Sequence, residues 1–337
     1  MSISDQYRAL RENAAIGAVS TRNAIGVTGR DRAAYLQGLL TNDIQALTPG
    51  TGCYAAWLTP QGRMLTDIHL FESGDMILLD VPASELPATM LRLDQFLFSE
   101  DVQFADLSAA LEAVWVHGPA AHSMLDQVLS GATGGHAQAE ACALDTWAEY
   151  HNARATFAGA PVVVARVSQL GVPGFCVYVE TARAAELRRA LVAAGAVEAE
   201  GGAIEAARIE AGYPLFGVDM TTDTIPLEAG IEGRAISLTK GCYVGQEVII
   251  RVLHRGHGRV ARKLVALRIE GGVPEAGARI FAGDKDTGFV TSSAHSPRLG
   301  SIALGYVHRD SVAPGTRVAV DTPSGRVPAL VSDRPLA

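Results

Sequence analysis

The segment from Lys240 to Glu247 places a cysteine, a lysine and two glycines directly before a predicted helix. It reads Lys240-Gly241-Cys242-Tyr243-Val244-Gly245-Gln246-Glu247. The helix is indicated by apolar residues that share one helical face, which are Val244, Val248, Ile249, Val252 and Leu253. The positive end of a helix and a nearby lysine both stabilise a thiolate, the form of cysteine that acts as a nucleophile or metal ligand. We therefore expect Cys242 and Lys240 to be the residues that carry chemistry.

Two other interpretations of Cys242 fit the same spacing. A cysteine between glycines can simply be a small apolar residue that packs in the core. It can also belong to a metal site with His254 and His257. Histidines in the last turn of a helix more often complement the helix dipole. The sequence therefore predicts no metal site.

The other three cysteines carry no pattern of their own. Cys53, Cys142 and Cys176 are far apart and form no C-x-x-C pair. This spacing predicts neither a zinc knuckle nor a disulfide framework, and it is typical of a reducing, cytoplasmic compartment. We expect these three cysteines to be structural.

Length and charge narrow the class of protein. At about 150 residues per domain, the 337 residues predict two or three domains. A net charge of -8 argues against broad contact with a nucleic-acid backbone, which needs a basic face. The longest apolar stretches are shorter than the roughly 20 residues that cross a bilayer, and residues 1–15 lack the apolar core of a signal peptide. The sequence predicts a cytoplasmic protein with no nucleic-acid or membrane partner.

Hydrophobic periodicity divides the chain into two parts. Residues 24–81 read as a strand, a helix and an antiparallel meander, and helical and strand patterns alternate from there to about residue 194. From Arg259 onward, short β runs are separated by Gly, Pro and Asp turns, which is typical of a small barrel. We therefore predict an α+β fold with domains at 1–257 and 258–337, the first built from two intertwined subdomains.

The whole chain resembles a known family. Residues 240–247 match the K-G-C-[FY]-x-G-Q-E signature of the YgfZ-type folate-binding proteins, which are related to the aminomethyltransferase T protein of glycine cleavage. Further matching blocks are Gly29–Arg32, Leu58–Arg63 with Asp67, Arg208–Gly212 and Pro226–Gly230. The resemblance implies folate-binding domains of the aminomethyltransferase type, a C-terminal small β-barrel, and tetrahydrofolate or a derivative as the cofactor.

The resemblance also implies where folate binds. In the aminomethyltransferase relatives, the glutamate aligned with Glu228 contacts the pterin, and a carboxylate suits that role because it accepts two hydrogen bonds. Asn42 and Asp43 either line the same pocket or only end a helix and form a turn. Arg63 either binds the folate carboxylates or only flanks a hairpin turn. Three residues in and after the signature complete the expected folate-binding set, namely Tyr243, Gln246 and Arg251.

The function implied by the resemblance is assembly or repair of iron-sulfur clusters in client enzymes, including radical enzymes that thiomethylate transfer RNA. The expected partners are iron-sulfur assembly proteins and these clients, and the protein is expected to be a monomer without direct RNA contact. The alternative is an enzyme, a folate-dependent one-carbon (aminomethyl or methyl) transferase or demethylase, which needs a general acid or base. A scaffold that binds no small molecule is a third interpretation, and it would leave Glu228 without its expected role.

Overall fold

The computed structural model describes residues 1–133, 144–254 and 258–336 of the chain. It confirms the predicted α+β class, with mixed helices and sheets followed by a closed six-stranded barrel. Cys142 lies outside the described residues. So do residues 255–257, at which the predicted domain boundary falls.

The helices and strands have the following bounds. The helices of the described chain are α1 (Ile3–Glu12), α2 (Arg32–Leu39), α3 (Leu86–Gln95), α4 (Ala121–Val128), α5 (Thr181–Ala193), α6 (Gly201–Ala211), α7 (Pro226–Ala229), α8 (Glu232–Ala235) and α9 (Gln246–His254). None of these described helices is long and apolar enough to span a bilayer. The strands are β1 (Ala15–Ile16), β2 (Arg22–Thr28), β3 (Gly52–Leu58), β4 (Met64–Glu72), β5 (Ile77–Pro82), β6 (Gln103–Asp106), β7 (Leu111–His117), β8 (Ser130–Thr133), β9 (Asn152–Phe157), β10 (Ala160–Arg166), β11 (Gly174–Glu180), β12 (Val197–Glu198), β13 (Arg262–Ile269), β14 (Arg279–Ala282), β15 (Lys285–Ser296), β16 (Gly300–His308), β17 (Arg317–Thr322) and β18 (Gly325–Ser332).

The first sheet contains the antiparallel meander that the sequence predicted. Its strand order is β3-β4-β5-β2-β6, and β3, β4 and β5 pair in succession. These three strands are buried along most of their length, so both faces of the sheet must be covered. Helices α2 and α3 cover one face through a core that includes Leu36, Trp57 and Leu93.

A second sheet covers the other face. Its strand order is β12-β1-β7-β11-β10-β9-β8. Phe71 and Leu78 of the first sheet share an apolar cluster with Trp115, Cys176 and Tyr178 of the second. Helices α4 and α5 pack on the outer face of the second sheet. The result is a layered arrangement of helix, sheet, sheet and helix.

Strands β13 to β18 form the closed barrel, in the order β13-β16-β15-β14-β17-β18. Aliphatic side chains such as Val265, Leu267 and Val290 form one of its cores. Helix α6 packs against β15, and α7 lies against β13. The barrel therefore contacts both α6 and α7, the helices that flank residues 212–225.

Two buried carboxylates fix the barrel against the preceding region. Asp219 Oδ2 lies 2.7 Å from Arg208 Nη1, and Asp219 Oδ1 accepts a hydrogen bond from Ser292 of β15 at 2.7 Å. Glu210 of α6 lies 3.2 Å from Arg298, which follows β15. A buried charge without a partner costs several kcal/mol, so these pairs hold α6 and β15 in one relative position.

His117 of β7 generates a prediction about acid stability. The side chain is fully buried, and its ring stacks on that of Trp115. Burial lowers the pKa of His117 to about 4, whereas an unfolded chain has a histidine pKa near 6.5. The unfolded chain therefore binds a proton first as the pH falls. Because of His117, we expect the free energy of unfolding to fall by about 3 kcal/mol as the pH decreases from 6.5 to 4.

Urea unfolding of the wild type and of His117→Phe across this range measures the effect. The variant should lack this part of the pH dependence, because phenylalanine fills a similar volume and takes up no proton. The exposed His295 offers a matched control, and His295→Asn should keep the wild-type profile. A His117→Phe profile parallel to that of the wild type would contradict the prediction.

Candidate functional site

Lys240 binds the end of α2. Its Nζ donates hydrogen bonds to the backbone carbonyls of Gln37, Leu40 and Asn42 at 2.7, 2.6 and 2.7 Å. The end of a helix leaves carbonyl groups without partners, and a cation is favourable there. Burial lowers the pKa of Lys240 to about 8, which still leaves the ammonium mostly charged at pH 7. All three N–H groups are engaged, so action of Lys240 beside Cys242 would require these bonds to open.

Cys242 is exposed and lies four residues before α9 begins at Gln246. Its exposure contradicts the interpretation of Cys242 as a core residue. Cys176 is fully buried, and burial raises the pKa of its thiol; burial also raises the pKa of Cys53 to about 12. His257, named in the alternative metal site, lies outside the described residues. Within the described ranges, no group of three or more metal-binding side chains is found.

Gly245 of the signature packs against the β3–β4 hairpin. It has a positive φ of 86°, and a Cβ there would lie 2.6 Å from the carbonyl oxygen of Thr59. Gly62 in the hairpin turn has a φ of 75°, and its Cβ would lie 2.9 Å from Val248 of α9. Side chains at either position would push α9 away from the hairpin. Gly245 and Gly62 thus allow a close approach between two segments of the protein itself.

Glu228 lies in α7, and its local sequence explains the helix. Pro226 occupies the first turn, and Gly230 adopts the left-handed conformation after the last residue, with a φ of 65°. The Glu228 side chain is 13% exposed, and its Oε2 lies 3.4 Å from Nε of Arg262. No described residue donates a hydrogen bond to Glu228 Oε1. A mostly buried carboxylate therefore keeps acceptor capacity for a ligand.

Arg63 lies in the same neighbourhood as Glu228. Its Nη1 is 2.7 Å from Asp223 Oδ1, and Arg262 donates to the backbone carbonyl of Asp223 at 3.4 Å. Asp223 thus links Arg63 to Arg262 and, through Arg262, to Glu228. The Arg63 side chain is 50% exposed, so it lies at the outer edge of this group. Its role in folate binding stays a prediction.

Asn42 and Asp43 bind different groups. Asn42 Nδ2 donates to the carbonyls of Tyr54 and Arg234 at 2.8 and 3.0 Å, which fastens α8 to β3. Asp43 Oδ1 accepts a hydrogen bond from Gln37 Nε2 at 3.0 Å. Asn42 therefore positions the backbone of α8, and Asp43 stabilises the turn after α2.

The other three predicted folate-binding residues differ in exposure and in what they contact. Tyr243 is 7% exposed and belongs to the same apolar cluster as Leu227, the neighbour of Glu228. Burial raises the pKa of Tyr243 to about 12, and its hydroxyl is buried without a hydrogen-bond partner among the described residues. Gln246 is the half-buried first residue of α9. Arg251 is exposed and pairs with Glu247 at 2.6 Å.

A buried polar row, for which the sequence predicted no role, crosses β3, β4 and β5. The register places Tyr54 opposite His69 and His69 opposite Asp80. His69 Nδ1 lies 3.1 Å from Asp80 Oδ2. Asp67, His69 and Phe71 alternate along β4, so they share the face that meets the second sheet. Asp67 and His69 are ionisable residues at alternate positions of a buried strand. This spacing is the sequence feature from which the row could have been predicted.

Arg22 neutralises this row. Its Nη1 lies 2.9 Å from Asp67 Oδ1, and its Nε lies 3.2 Å from Asp80 Oδ1. Tyr54 donates to Asp67 Oδ2 at 2.9 Å. Burial opposes the ionisation of Asp67, but Arg22 lowers its pKa overall. Burial and the charge of Arg22 lower the pKa of His69, so its ring is neutral at pH 7.

Comparisons with known proteins identify the fold and then the family. The structure matches the crystal structure of glycine cleavage system aminomethyltransferase T from Bartonella henselae with a TM-score of 0.86, at 22% identity, over 100% of this chain and 90% of that one. This likeness shows the fold. In sequence, the GCVT N-terminal domain matches residues 1–240, and the Glycine cleavage T-protein C-terminal barrel domain matches residues 262–337. The chain belongs to this T-protein family, which uses tetrahydrofolate as a substrate or cofactor.

Curated relatives extend over nearly the whole chain. The aminomethyltransferase of Bacillus subtilis is 29% identical over 343 residues, covering 99% of this chain and 90% of the relative. The aminomethyltransferase of Rubrobacter xylanophilus is 31% identical over 307 residues, covering 90% of this chain and 79% of the relative. The relation to the T protein, inferred first from short motifs, is thereby confirmed.

The contacts of Lys240 predict a structural effect. Lys240→Met keeps an apolar stem but removes three donors, which leaves carbonyls at the end of α2 without their partners. We expect the free energy of unfolding to fall by about 3 kcal/mol in urea titrations. Lys263→Met, at an exposed position, should change it by less than about 0.5 kcal/mol. Equal losses in the two variants would show that Lys240 does not anchor the segment.

Proposed function

We propose that this protein binds a reduced folate, tetrahydrofolate or a derivative, with Glu228 receiving the pterin. The observation that supports this proposal is the free Oε1 of a carboxylate that is only 13% exposed. A pterin presents an amino group and a ring N–H side by side, and a carboxylate accepts both. Tyr243 shares an apolar cluster with α7 and Arg63 pairs with Asp223, and in this proposal both extend the site.

One-carbon transfer is the first candidate for what the bound folate does. Relatives that align over nearly the full chain are named aminomethyltransferases. They support a folate-dependent transferase or demethylase. Arg22 pairs with both Asp67 and Asp80, and the two ring nitrogens of His69 lie within hydrogen-bond distance of Asp80 and Tyr213. This row therefore supplies no unpaired general base, and the reaction would need another proton acceptor.

Iron-sulfur cluster assembly or repair, as in the YgfZ-type proteins, is the second candidate. The observation that favours it is the exposed thiol of Cys242 within the Lys240–Glu247 signature. An exposed thiol can reach a cluster or a client protein, whereas a buried one cannot. In this function the protein would act with cytoplasmic assembly factors and cluster-containing enzymes. Folate would bind at the same site, beside Glu228.

Glu228→Ala tests folate binding directly. Loss of a buried, charge-assisted hydrogen bond costs about 1.5 to 3 kcal/mol, so we expect calorimetry to show tetrahydrofolate affinity falling about tenfold to 150-fold. Glu228→Gln keeps one acceptor oxygen and should lose less. The exposed Glu275 provides the control Glu275→Ala, which should bind as the wild type does. Equal affinity of the wild type and Glu228→Ala would refute the assignment.

Cys242→Ser separates the two candidate functions. An assembly factor predicts that, in a strain lacking the protein, Cys242→Ser fails to restore the activity of cluster-dependent enzymes, while Cys53→Ser and Cys176→Ser restore it. A transferase predicts that the purified protein forms methylene-tetrahydrofolate from a candidate amine. Thermal unfolding confirms that each variant is folded. Full rescue by a folded Cys242→Ser would exclude Cys242 from the assembly function.

A further inference from the structure

Arg234 of α8 is held between two aromatic rings. Its guanidinium carbon lies 4.0 Å from the ring centroid of Tyr213 and 4.8 Å from that of Tyr54. A guanidinium that stacks on aromatic rings through its faces keeps its N–H groups in the plane between them. In such an arrangement the N–H groups lie at the edge of the stack, in the fork geometry that suits a carboxylate.

The guanidinium of Arg234 has no acceptor of its own within the described residues. The backbone carbonyl of Arg234 accepts a hydrogen bond from Asn42, but no hydrogen bond or ion pair of the Arg234 side chain is found among the described residues. The nearby Asp67 is already bound by Arg22 and by Tyr54. Burial raises the pKa values of Tyr54 and Tyr213, so both phenols are neutral at pH 7. Neither ring supplies a negative charge.

A second cation increases the positive potential around Arg234. Arg334 donates to the backbone carbonyl of Ala229, at the end of α7, at 2.8 Å. Its pKa is lowered by burial and then by the charge of Arg234, so the two charges repel each other, and the smaller effects of Tyr306, Glu232 and Asp219 do not cancel this shift. Arg234 and Arg334 thus place two cations near α7 and α8, and Arg234 has no acceptor in the described part of the chain. This arrangement favours the binding of an anion near these helices.

We infer that Arg234 binds the carboxylate of a small-molecule ligand beside α7, the helix that carries Glu228 and contacts α8. The ligand group is planar and bidentate, because the edge of a stacked guanidinium offers two parallel N–H donors. Two sources of this carboxylate fit the proposed function, on which the inference rests. One is the glutamyl tail of the reduced folate, and the other is the carboxylate of an amino-acid donor of the one-carbon group.

Calorimetry with Arg234→Met tests the inference, because methionine preserves length and packing between the rings. Three probes are used: tetrahydrofolate, 6-methyltetrahydropterin and N-methylglycine. The second lacks a carboxylate. N-methylglycine is added to the wild-type or variant protein both with and without tetrahydrofolate. We expect a loss of about tenfold to 100-fold for one carboxylate probe. Binding of 6-methyltetrahydropterin should change less than twofold.

The pattern of losses identifies the source. Weaker tetrahydrofolate binding assigns the glutamyl tail, and weaker N-methylglycine binding assigns the donor. Arg8→Met removes an exposed arginine paired with Asp5 and should leave all three affinities unchanged. If Arg234→Met does not fold, Arg234→Lys keeps a cation but loses the fork, and it should weaken the same probe by about threefold to tenfold.

Several outcomes would overturn the inference. Unchanged affinity for both carboxylate probes in a folded Arg234→Met, or in Arg234→Lys, means that Arg234 only packs between the rings. A wild type that binds neither carboxylate probe excludes a carboxylate site. A wild type that binds N-methylglycine through Arg234 but neither pterin supports the carboxylate site and refutes the proposed folate binding, so the two failures are distinguishable.

Discussion

Arg22 lies between Asp67 and Asp80, where the two sheets pack together, and neutralises their charges. The rest of the candidate site depends on this neutralisation. A carboxylate buried without a partner costs several kcal/mol, so Asp67 and Asp80 can face the second sheet only because Arg22 reaches both, at 2.9 and 3.2 Å. Burial, together with the same charge, lowers the pKa of His69 and keeps its ring neutral. Arg22 also pairs directly with Asp67, whose carboxylate forms no ion pair with Arg234 among the described residues.

The signature segment combines a buried end and an exposed end within three residues. Lys240 is 8% exposed and binds three carbonyls at the end of α2, whereas Cys242 is exposed. The ammonium thereby fixes the loop from which the thiol projects. Gly245 then brings α9 against the β3–β4 hairpin. The rigid placement of one exposed cysteine is a physical reason for a lysine and glycines at this spacing.

Folate binding is the property common to the two candidate functions. The family relation supports one-carbon chemistry, and the exposed Cys242 supports work on clusters or clients. The proposed role of Glu228 suits either function, because a free carboxylate oxygen can accept hydrogen bonds from a pterin whatever reaction follows. Function is decided at the site and not by the fold, and the fold here is shared with the aminomethyltransferases.

Local pattern determined the class of fold and several elements of the site. Alternation predicted the β3–β5 meander, and the proline and glycine of the Pro226–Gly230 block explain a short helix that carries Glu228. The tertiary structure alone decided the polar partners. Lys240 meets a carbonyl 203 residues away, and Arg234 meets the rings of Tyr54 and Tyr213. Periodicity depends on neighbours in the chain, whereas these contacts depend on which elements pack together and in which register.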